Sequence, residues 1–567
     1  MRFTLRFLLA AGLLLASSIG ALAQSDPGET LLDEQLRNER LQQIANSRAG
    51  QQVEVPEIPG PVTEAVCFPI DQIELRGVTI FDEPDLDPLL NEFSNHCLGQ
   101  VSIGNFIQRI SGLYAEKGYI TTRAYVPAQD VSSRTLIIEV VEGRIEAFVY
   151  QQVDEDGNAR PGRTRKINGA FPIRAGDVFQ LRDIEHGLEQ MNRLPSSQAN
   201  ANLTAGEAPG TSRVVVTEQK VDTVRGTFGF DNRGAEDTGE TQLRLGFEVD
   251  DLLNINDAYS FSYSGSENTN ALAFSISVPF QKWLFSTNGS YSESLSPVTA
   301  VSDLFSQTAN LTFQAERLLF RDATSKYFVY GSVSSYWNER FINIAALTPQ
   351  HRSAFRLGFR EEHRLEKSVI SADTSLSFGA KFGGADWDPA ILAPGAPQAD
   401  FEKLETRINY FRPLEGERQL SLYFNGQMST SPLFSNEQIS IGSWDSVRGY
   451  AGHESSGDAG FFLRTEMSFP AKAIDLTGLG KPFEQAEIWN PLKGAEGGYR
   501  PFIFADFGHV SSRATESSSH MMSVGTGVSM RIGKITFNAT LAIPLIDQNG
   551  RESGDVQGLL SFSTKLF

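Results

Sequence analysis

The sequence predicts a mainly β protein, a 16-stranded antiparallel transmembrane β-barrel preceded by two small α+β modules of βααββ order and an N-terminal helix. Three observations support this fold class. Helical periodicity is confined to the residues before 223, segments of alternating apolar and polar residues follow to the C-terminus, and these segments are about ten residues long, as membrane-crossing barrel strands are. The 567 residues, with 50 Gly and 39 Phe, suffice for one large barrel and small domains.

The N-terminus, residues 1–23, predicts a cleaved export signal. Arg2 and Arg6 form a positive region, residues 7–16 are apolar, and residues 21–23 are a small-residue cleavage site. The alternative, an uncleaved membrane anchor, is disfavoured because the apolar stretch is short. After the cleavage site no apolar run approaches the roughly 18 residues of a spanning helix, which excludes a helical membrane protein.

Residues 24–48 predict one isolated amphipathic helix, and residues 49–66 predict a linker. Leu32, Leu36 and Leu41 lie near one stripe at helical spacing, and Glu, Arg and Gln fill most other positions. The helix is too short and too polar to form a domain, so we interpret it as a plug for a pore. Three prolines make the linker extended, because each disfavours helix at the residue before it.

Residues 67–144 and 145–222 each predict a βααββ module. The expected elements of the first are strand 70–78, helices 84–93 and 102–117, and strands 119–126 and 135–141. Those of the second are strand 145–151, helices 165–170 and 181–194, and strands 199–203 and 212–217. Ser102 is expected to cap the longer helix of the first module. The two modules repeat one architecture without repeating one sequence.

From 223 to 567 we expect the sixteen barrel strands. The predicted strands are 223–232, 241–250, 257–266, 271–280, 282–292, 308–320, 326–337, 351–362, 371–382, 401–413, 419–429, 461–471, 499–511, 521–533, 534–545 and 558–567. Alternation alone also fits a soluble β-sandwich. A membrane barrel is favoured because the strands are long, their number is even, and short connections alternate with long ones.

Four connections are expected to be long outer loops, namely 293–307, 338–350, 383–400 and 430–460. Connection 472–498 is long on the side where the others are short, and nothing in the sequence explains it.

Charge and motif content exclude several function classes. With 49 basic and 69 acidic residues the net charge is −20, so the totals contain no basic footprint for nucleic acid. The sequence contains neither a phosphate-binding G-x-x-x-x-G-K-[ST] loop nor a G-x-S-x-G or H-E-x-x-H motif. We therefore expect no enzyme activity, no nucleotide and no cofactor.

Cys67 and Cys97 are the two cysteines of the chain and are expected to pair, since an exported chain meets an oxidising compartment. The bond would close a loop of about 30 residues and stabilise the chain by roughly 3–4 kcal/mol. Free thiols are the first alternative. A metal site with His96 is the second, and it falls short of the usual four ligands, so no metal is expected.

Two short motifs stand out within the barrel region. The first comprises Val447, Arg448, Gly449 and Tyr450 in connection 430–460. The second comprises Phe504, Asp506 and Gly508 in strand 499–511, where parity places these three residues on the inward face. An inward carboxylate beside inward aromatic rings needs a cation, and the planar fork of Arg448 suits Asp506 if the loop folds into the barrel. The alternative is a plain turn at Gly449 with a solvated arginine.

Together these features resemble the Omp85 superfamily and, within it, the TpsB transporters of two-partner secretion, the relatives of the haemolysin activator and the filamentous haemagglutinin transporter. The resemblance covers essentially the whole mature chain and rests on the order of its motifs. It implies that the two modules are POTRA domains in the periplasm and that the barrel lies in the outer membrane of a Gram-negative bacterium. The terminal Phe567 is similar to the aromatic ending by which such barrels are recognised for insertion.

The resemblance also implies a function and partners. The expected function is capture of an unfolded, secreted TpsA-type exoprotein by the POTRA modules and its passage outward through the barrel. Strand 119–126, with Tyr119, Thr121, Arg123 and Tyr125, is our candidate edge for adding the extended cargo as a further strand. Further expected partners are outer-membrane lipid, periplasmic chaperones and the barrel-assembly machinery. An Omp85-type assembly factor, a solute porin and an outer-membrane enzyme are the alternatives.

Overall fold

The computed structural model describes residues 58–154, 156–474 and 497–567. In these residues two small α+β modules precede a closed antiparallel barrel, which confirms the predicted fold class. The export signal, the plug helix with Leu32, Leu36 and Leu41, and most of connection 472–498 lie outside the described residues. None of the described helices is long and apolar enough to span a membrane.

The first module packs two helices on a three-stranded sheet. Its elements are β1 (Phe68–Ile70), β2 (Gln72–Arg76), α1 (Glu83–Phe93), β3 (His96–Leu98), α2 (Gln100–Glu116), β4 (Arg123–Tyr125) and β5 (Thr135–Val141). The sheet order is β2-β5-β4, and β1 pairs separately with β3. Phe106, Ile110 and Tyr114 recur every fourth residue on α2 and are fully buried against Phe93 and Ile138.

The cap predicted for α2 is wrong. The helix begins at Gln100 after Gly99, and Ser102 lies inside its first turn, where its hydroxyl bonds the backbone of Val62. The carboxylate of Glu64 instead accepts from the amides of Val101 and Ser102, at 2.9 and 2.8 Å. A residue of the predicted linker therefore caps the helix, and the end of that linker is fixed to the first module.

The predicted edge strand 119–126 is shorter in the structure. Tyr119 and Thr121 lie in a turn closed by a hydrogen bond from Thr122 N to Tyr119 O, and only Arg123–Tyr125 forms β4. The turn follows Gly118, whose φ of +91° takes the chain out of α2 in a direction that delays the strand. β4 still lies at one edge of its sheet, next to β5.

Cys67 and Cys97 form the predicted disulfide, with their Cα atoms 5.3 Å apart. Cys97 lies in β3 opposite Pro69 of β1, and Cys67 directly precedes β1, so the bond fastens the start of β1 to β3. The closed loop contains β1, β2 and α1, and the bond therefore constrains nearly half of the first module.

Reduction of the Cys67–Cys97 bond is expected to loosen the first module and leave the barrel folded. Loss of a cross-link around a loop of about 30 residues costs roughly 3–4 kcal/mol of unfolding free energy. Hydrogen exchange of the α1 and β2 amides should accelerate in reductant, with the barrel amides as the internal control. Two free thiols per chain, titrated in denaturant without reductant, would contradict the bond.

The second module repeats the plan with a four-stranded sheet. Its elements are β6 (Arg144–Val153), β7 (Ala159–Pro161), α3 (Thr164–Ala170), α4 (Leu181–Asn192), β8 (Ser197–Ala205) and β9 (Thr211–Lys220). The sheet order is β7-β6-β9-β8, and β6 runs parallel to β9. Both predicted helices are present, although the sequence marks the first of them poorly.

The barrel follows directly. Its region contains β10 (Val224–Asp231), β11 (Gln242–Asp250), β12 (Ala258–Gly265), β13 (Thr269–Phe280), β14 (Trp283–Thr299), β15 (Ser302–Arg321), β16 (Ser325–Ile342), β17 (Ala345–Ala346), β18 (Gln350–Leu365), β19 (Ser368–Gly379), β20 (Glu402–Pro413), β21 (Gln419–Ser429), β22 (Ile439–Ile441), β23 (Ser455–Gly457), β24 (Ala459–Ser468), β25 (Lys472–Ile474), β26 (Gly497–Ser512), β27 (Ser517–Ile532), β28 (Ile535–Pro544) and β29 (Gln557–Lys565). The short strands β17 and β25 supplement sixteen barrel strands, and β22 and β23 pair within one loop.

Alternation along the strands separates the lipid face from the lumen. Leu243, Leu245 and Phe247 of β11 are each more than 40% exposed on the outer face, as expected for side chains that contact lipid. The first and last strands close the barrel, with β10 pairing β29 from Thr227 opposite Lys565 to Asp231 opposite Ser561. Closure leaves no unpaired edge within the membrane.

Two of the four predicted outer loops are wrong. Residues 293–307 belong mostly to β14 and β15, which pair from Thr299 and Ser302 inward. Within 338–350, residues 338–342 extend β16 and residues 345–346 form β17, which leaves only short turns. These strands extend beyond the part of the barrel that carries apolar side chains on its outer face. There many of the side chains are polar, so the sequence shows no regular alternation, but the backbone pairing continues. Loops 383–400 and 430–460 are present, with β22 and β23 inside the second.

The last strand ends at Lys565, two residues before the predicted end. Leu566 N donates to Gly226 O at 2.8 Å. The ring of Phe567 packs over Gly226, where a Cβ would lie 2.7 Å from the ring, and half of Phe567 remains exposed. The role of Phe567 as an insertion signal stays a prediction.

Candidate functional site in the barrel lumen

The loop between β21 and β24 folds inward and fills part of the lumen. Its apolar side chains pack against inward-facing residues of β24, β26 and β27. This cluster comprises Ile439, Ile441, Val447, Tyr450, Phe462, Val510 and Met521. Asp458 holds the base of the loop, because its carboxylate accepts from Leu433 N at 2.7 Å and from Arg513 N at 2.6 Å. The loop is therefore a packed element with its own core.

Arg448 and Asp506 meet in this lumen as the sequence predicted. Arg448 Nε donates to Asp506 Oδ2 at 2.6 Å, and Nη2 donates to Oδ1 at 2.8 Å. The backbone nitrogen of Arg448 adds a third bond to Oδ2 at 3.2 Å. The Arg448 side chain is 6% exposed and that of Asp506 is 0% exposed. This is a buried bidentate pair, the geometry in which arginine binds a carboxylate most directionally.

Phe504 covers the guanidinium. The Cζ atom of Arg448 lies 3.5 Å from the centroid of the Phe504 ring, so the arginine gains a cation–π contact besides its ion pair. The ring itself lies over Gly525 of β27, where any Cβ would overlap it, and Phe502 lies over Gly527 in the same way. The two glycines thus leave room for the aromatic surface on which the loop rests.

Gly508 and Gly449 permit the close approach of the loop to the wall. A Cβ at position 508 would lie 2.8 Å from Val447 and 2.9 Å from Ile441, so only glycine lets the loop seat. Gly449 has a φ of +93° and passes close to Pro544 of β28. The spacing F-x-D-x-G therefore encodes an aromatic cover, a carboxylate and a gap on one strand face.

Tyr450 anchors the far side of the motif. Its hydroxyl lies 2.8 Å from Met522 O and 2.9 Å from Ile546 O, and it accepts from the amides of the same two residues at 3.3 and 3.2 Å. Tyr450 is fully buried. The four residues of the motif therefore contact β26, β27 and β28 together.

Sequence reasoning missed a second carboxylate at the site. Arg448 Nη1 donates to Glu466 Oε2 of β24 at 3.0 Å, so the arginine joins two strands through two acids. Glu466 lies opposite Phe504 in the strand register and faces inward. Its parity in the predicted strand 461–471 is the sequence signal that could have found it. Trp444 was also missed, and it packs with Phe504 and Leu559.

Arg448→Ala and Asp506→Ala are expected to abolish release of cargo while the barrel still inserts. Removing one partner of a buried pair costs roughly 3–5 kcal/mol because the other charge is left without compensation. Secretion assays and heat-modifiability of the barrel on gels measure the two effects separately. Arg418→Ala, at an exposed periplasmic turn, is the matched control. Normal secretion by both single variants would show that the docked loop is dispensable.

The charge swap Arg448→Asp with Asp506→Arg is expected to recover only a small part of secretion. The swap restores one pair, but the introduced carboxylate faces Glu466, which now repels it. Adding Glu466→Gln to the swap should raise recovery, and this is measured in the same secretion assay. Equal secretion with and without Glu466→Gln would contradict a role for the second acid.

Tyr450→Phe is expected to destabilise the loop by about 1–3 kcal/mol, since it leaves buried backbone groups of β27 without their hydrogen bond. Protease cleavage within residues 430–458 of the inserted barrel measures release of the loop. Tyr423→Phe is the control, because its hydroxyl has no hydrogen-bond partner among the described residues. Equal cleavage of the two variants would argue against the anchor.

Comparisons with known proteins agree with this architecture. Residues 210–531, more than half of the chain, match the family described as haemolysin secretion/activation protein ShlB/FhaC/HecB. Residues 68–143 match the ShlB-type POTRA domain, and residues 144–205 match a POTRA domain.

Individual relatives span most of the chain. The outer membrane transporter CdiB of Dickeya dadantii (strain 3937) is 29% identical over 470 residues, which cover 80% of this chain and 81% of the relative. The hemolysin transporter protein ShlB of Serratia marcescens is 26% identical over 449 residues, covering 76% and 77%. The solved structure of CdiB from Escherichia coli superposes with a TM-score of 0.83 at 24% identity and covers 95% and 97% of the two chains.

The two modules are therefore POTRA domains, called POTRA 1 and POTRA 2 below, and they lie in the periplasm beneath an outer-membrane barrel. The chain belongs to the ShlB/FhaC/HecB family of two-partner secretion transporters, which act with secreted TpsA-type partner proteins.

Proposed function

We propose that this chain captures an unfolded TpsA-type exoprotein in the periplasm through its POTRA domains and passes it to the cell surface through the barrel. The observation that carries the proposal is the loop 430–460 docked in the lumen by the buried Arg448–Asp506 pair. A barrel that holds one of its own segments in its lumen through the ion pairs of Arg448 with Asp506 and Glu466 has a route for exchanging that segment with another chain.

The energy for export comes from outside the chain. The sequence contains no nucleotide-binding motif, and folding of the cargo beyond the membrane supplies the work in this proposal. The sequence also contains no G-x-S-x-G or H-E-x-x-H motif, and we therefore propose that the chain is not an enzyme. Periplasmic chaperones deliver the cargo, and the barrel-assembly machinery inserts the barrel through the ending at Phe567.

Cargo docks on POTRA 1 at the β4 edge. Arg123–Tyr125 pairs with β5 on one side, and its other side has no strand partner within the part of the chain that the structure describes. Tyr125 is 44% exposed there and offers an aromatic contact. Adding a strand reads the backbone of the cargo, which suits an unfolded chain. Tyr119 and Thr121 support this edge from the preceding turn.

Deletion of residues 24–48 is expected to raise the conductance of the pore in planar bilayers while secretion continues. The predicted helix with Leu32, Leu36 and Leu41 would act as a second plug beside loop 430–460. Conductance traces of the deletion and the full chain test this. Unchanged conductance would leave the segment as a periplasmic tether.

The function is tested by deleting the gene for this chain in its host and measuring, in the medium, a large exported protein encoded beside it. We expect that protein to disappear from the medium and to return with the wild-type chain but not with Arg448→Ala. Reconstituted liposomes distinguish the alternative. Insertion of unrelated barrels into these liposomes, without translocation of the neighbour-encoded protein, would identify an assembly factor instead.

A further inference from the structure

POTRA 2 is joined to the barrel by a buried ion cluster centred on Lys166. Its Nζ lies 2.5 Å from Glu218 Oε1 of β9 and 2.9 Å from Asp251 Oδ2, in the periplasmic turn 251–257 after β11. Lys220 Nζ reaches the same Asp251 oxygen at 2.5 Å. The side chains of Lys166, Glu218 and Asp251 are at most 1% exposed. Two ammonium groups, of which that of Lys220 is partly exposed, thus neutralise two buried carboxylates.

The remaining oxygens of the cluster are also occupied. Glu218 accepts from Ser197 Oγ at 2.6 Å and from the hydroxyl of Tyr150. Asp251 Oδ1 accepts from Asn256 N at 2.9 Å. Burial opposes ionisation of both acids, but Lys166 and these hydrogen bonds lower the pKa of both Glu218 and Asp251. Both acids are ionised, so each needs its cation.

A second ionic contact reaches another turn of the barrel. Glu189 of α4 accepts from Arg321 Nη1 at 2.5 Å and from Lys326 Nζ at 2.8 Å, which flank the turn between β15 and β16. Burial opposes ionisation of Glu189, but Lys326 and Arg321 lower its pKa to about 2. This contact lies four strands along the barrel from the Lys166 cluster.

A third contact joins the turn between them. Gln281 N donates to Gly169 O of α3 at 2.5 Å, and Gln281 O lies 2.9 Å from His186 Nε2 of α4. Burial lowers the pKa of His186 to about 4, so the ring is neutral near neutral pH and donates to the carbonyl. Rotation of POTRA 2 about any one of the three contacts would break the other two.

We infer that Lys166 is a positioning residue that locks POTRA 2 onto the barrel, and that this lock stays closed while cargo passes. The inference rests on the proposed export function. A closed lock holds α4 and β8 along a cavity of about 1020 Å³ at the periplasmic mouth, opposite Phe328 and Arg360 of the barrel wall. POTRA 2 is then a fixed entrance to the pore.

Lys166→Met is the direct test. It leaves Glu218 and Asp251 without their shared cation, and we expect secretion to fall roughly tenfold. Spin labels at Thr204→Cys of β8 and Glu415→Cys of the barrel measure the position of POTRA 2, and their distance distribution should broaden. Arg160→Met, whose side chain is 80% exposed in POTRA 2, is the matched control and should change neither measurement.

A disulfide between POTRA 2 and the barrel tests whether Lys166 acts by positioning POTRA 2 or only by stabilising the fold. Because Gln281 N and Gly169 O are in contact, the Cα atoms of these residues are at most about 6.5 Å apart, within the range of a disulfide. Gly169→Cys with Gln281→Cys should secrete as much as the wild-type chain does under the same conditions, with and without reductant, so that any effect of reducing Cys67–Cys97 is shared. In the Lys166→Met background the oxidised tether should restore secretion, and reduction should remove it again.

Several outcomes would overturn the inference. Secretion by the tethered wild type only after reduction would mean that POTRA 2 leaves the barrel during transport. Normal secretion and an unchanged label distance in Lys166→Met would mean that Lys166 is not the lock. The wild-type tether decides the matter if Lys166→Met fails to accumulate. If the wild-type chain exports no partner, the proposed function fails, while the label distances still report on the lock.

Discussion

The buried pair of Arg448 and Asp506 is the contact on which the resting pore depends. A loop of about thirty residues stays folded in the lumen only if favourable contacts offset its lost conformational entropy. Ordering each residue costs roughly 1–2 kcal/mol. Apolar packing of Ile441, Val447 and Tyr450 supplies part of the compensation. The ion pair supplies direction, because it fixes Arg448 of the loop to Asp506 of β26 and Glu466 of β24. The hydrogen bonds of Tyr450 and Asp458 fix the same register of the loop at two further points.

The barrel wall is adapted to receive this pair. Glycines 508, 525 and 527 leave space where the loop and the rings of Phe502 and Phe504 approach the wall. The charges of Glu466 and Asp506 on adjacent strands make the receiving surface acidic around one guanidinium. Shape and charge therefore select the same docking position. At the periplasmic end the Lys166 cluster applies the same principle between two domains.

The sequence predicted features governed by local pattern. Alternation of apolar and polar residues located the barrel strands, and the position of Asp506 in its strand predicted that it faces inward. The export signal, which implies an oxidising compartment, predicted the Cys67–Cys97 bond. Contacts governed by distant partners were not predictable in this way. Ser102 carries a capping side chain, yet Glu64, 38 residues away, occupies that role. Lys166 binds acids 52 and 85 residues away, and no local signal marks an interface lysine.

Burial of the Arg448–Asp506 pair also sets its response to salt. Mobile ions screen charges that face water, with a Debye length of about 8 Å at physiological ionic strength, and they act weakly on a pair enclosed by protein. The outer membrane faces a medium whose salinity the cell does not regulate. Arg233 and Asp445, 3.6 Å apart and partly exposed, weaken as that medium becomes more saline, whereas the enclosed pair keeps its strength. The buried pair is therefore expected to hold its part of the loop in place over a wide range of salt concentration.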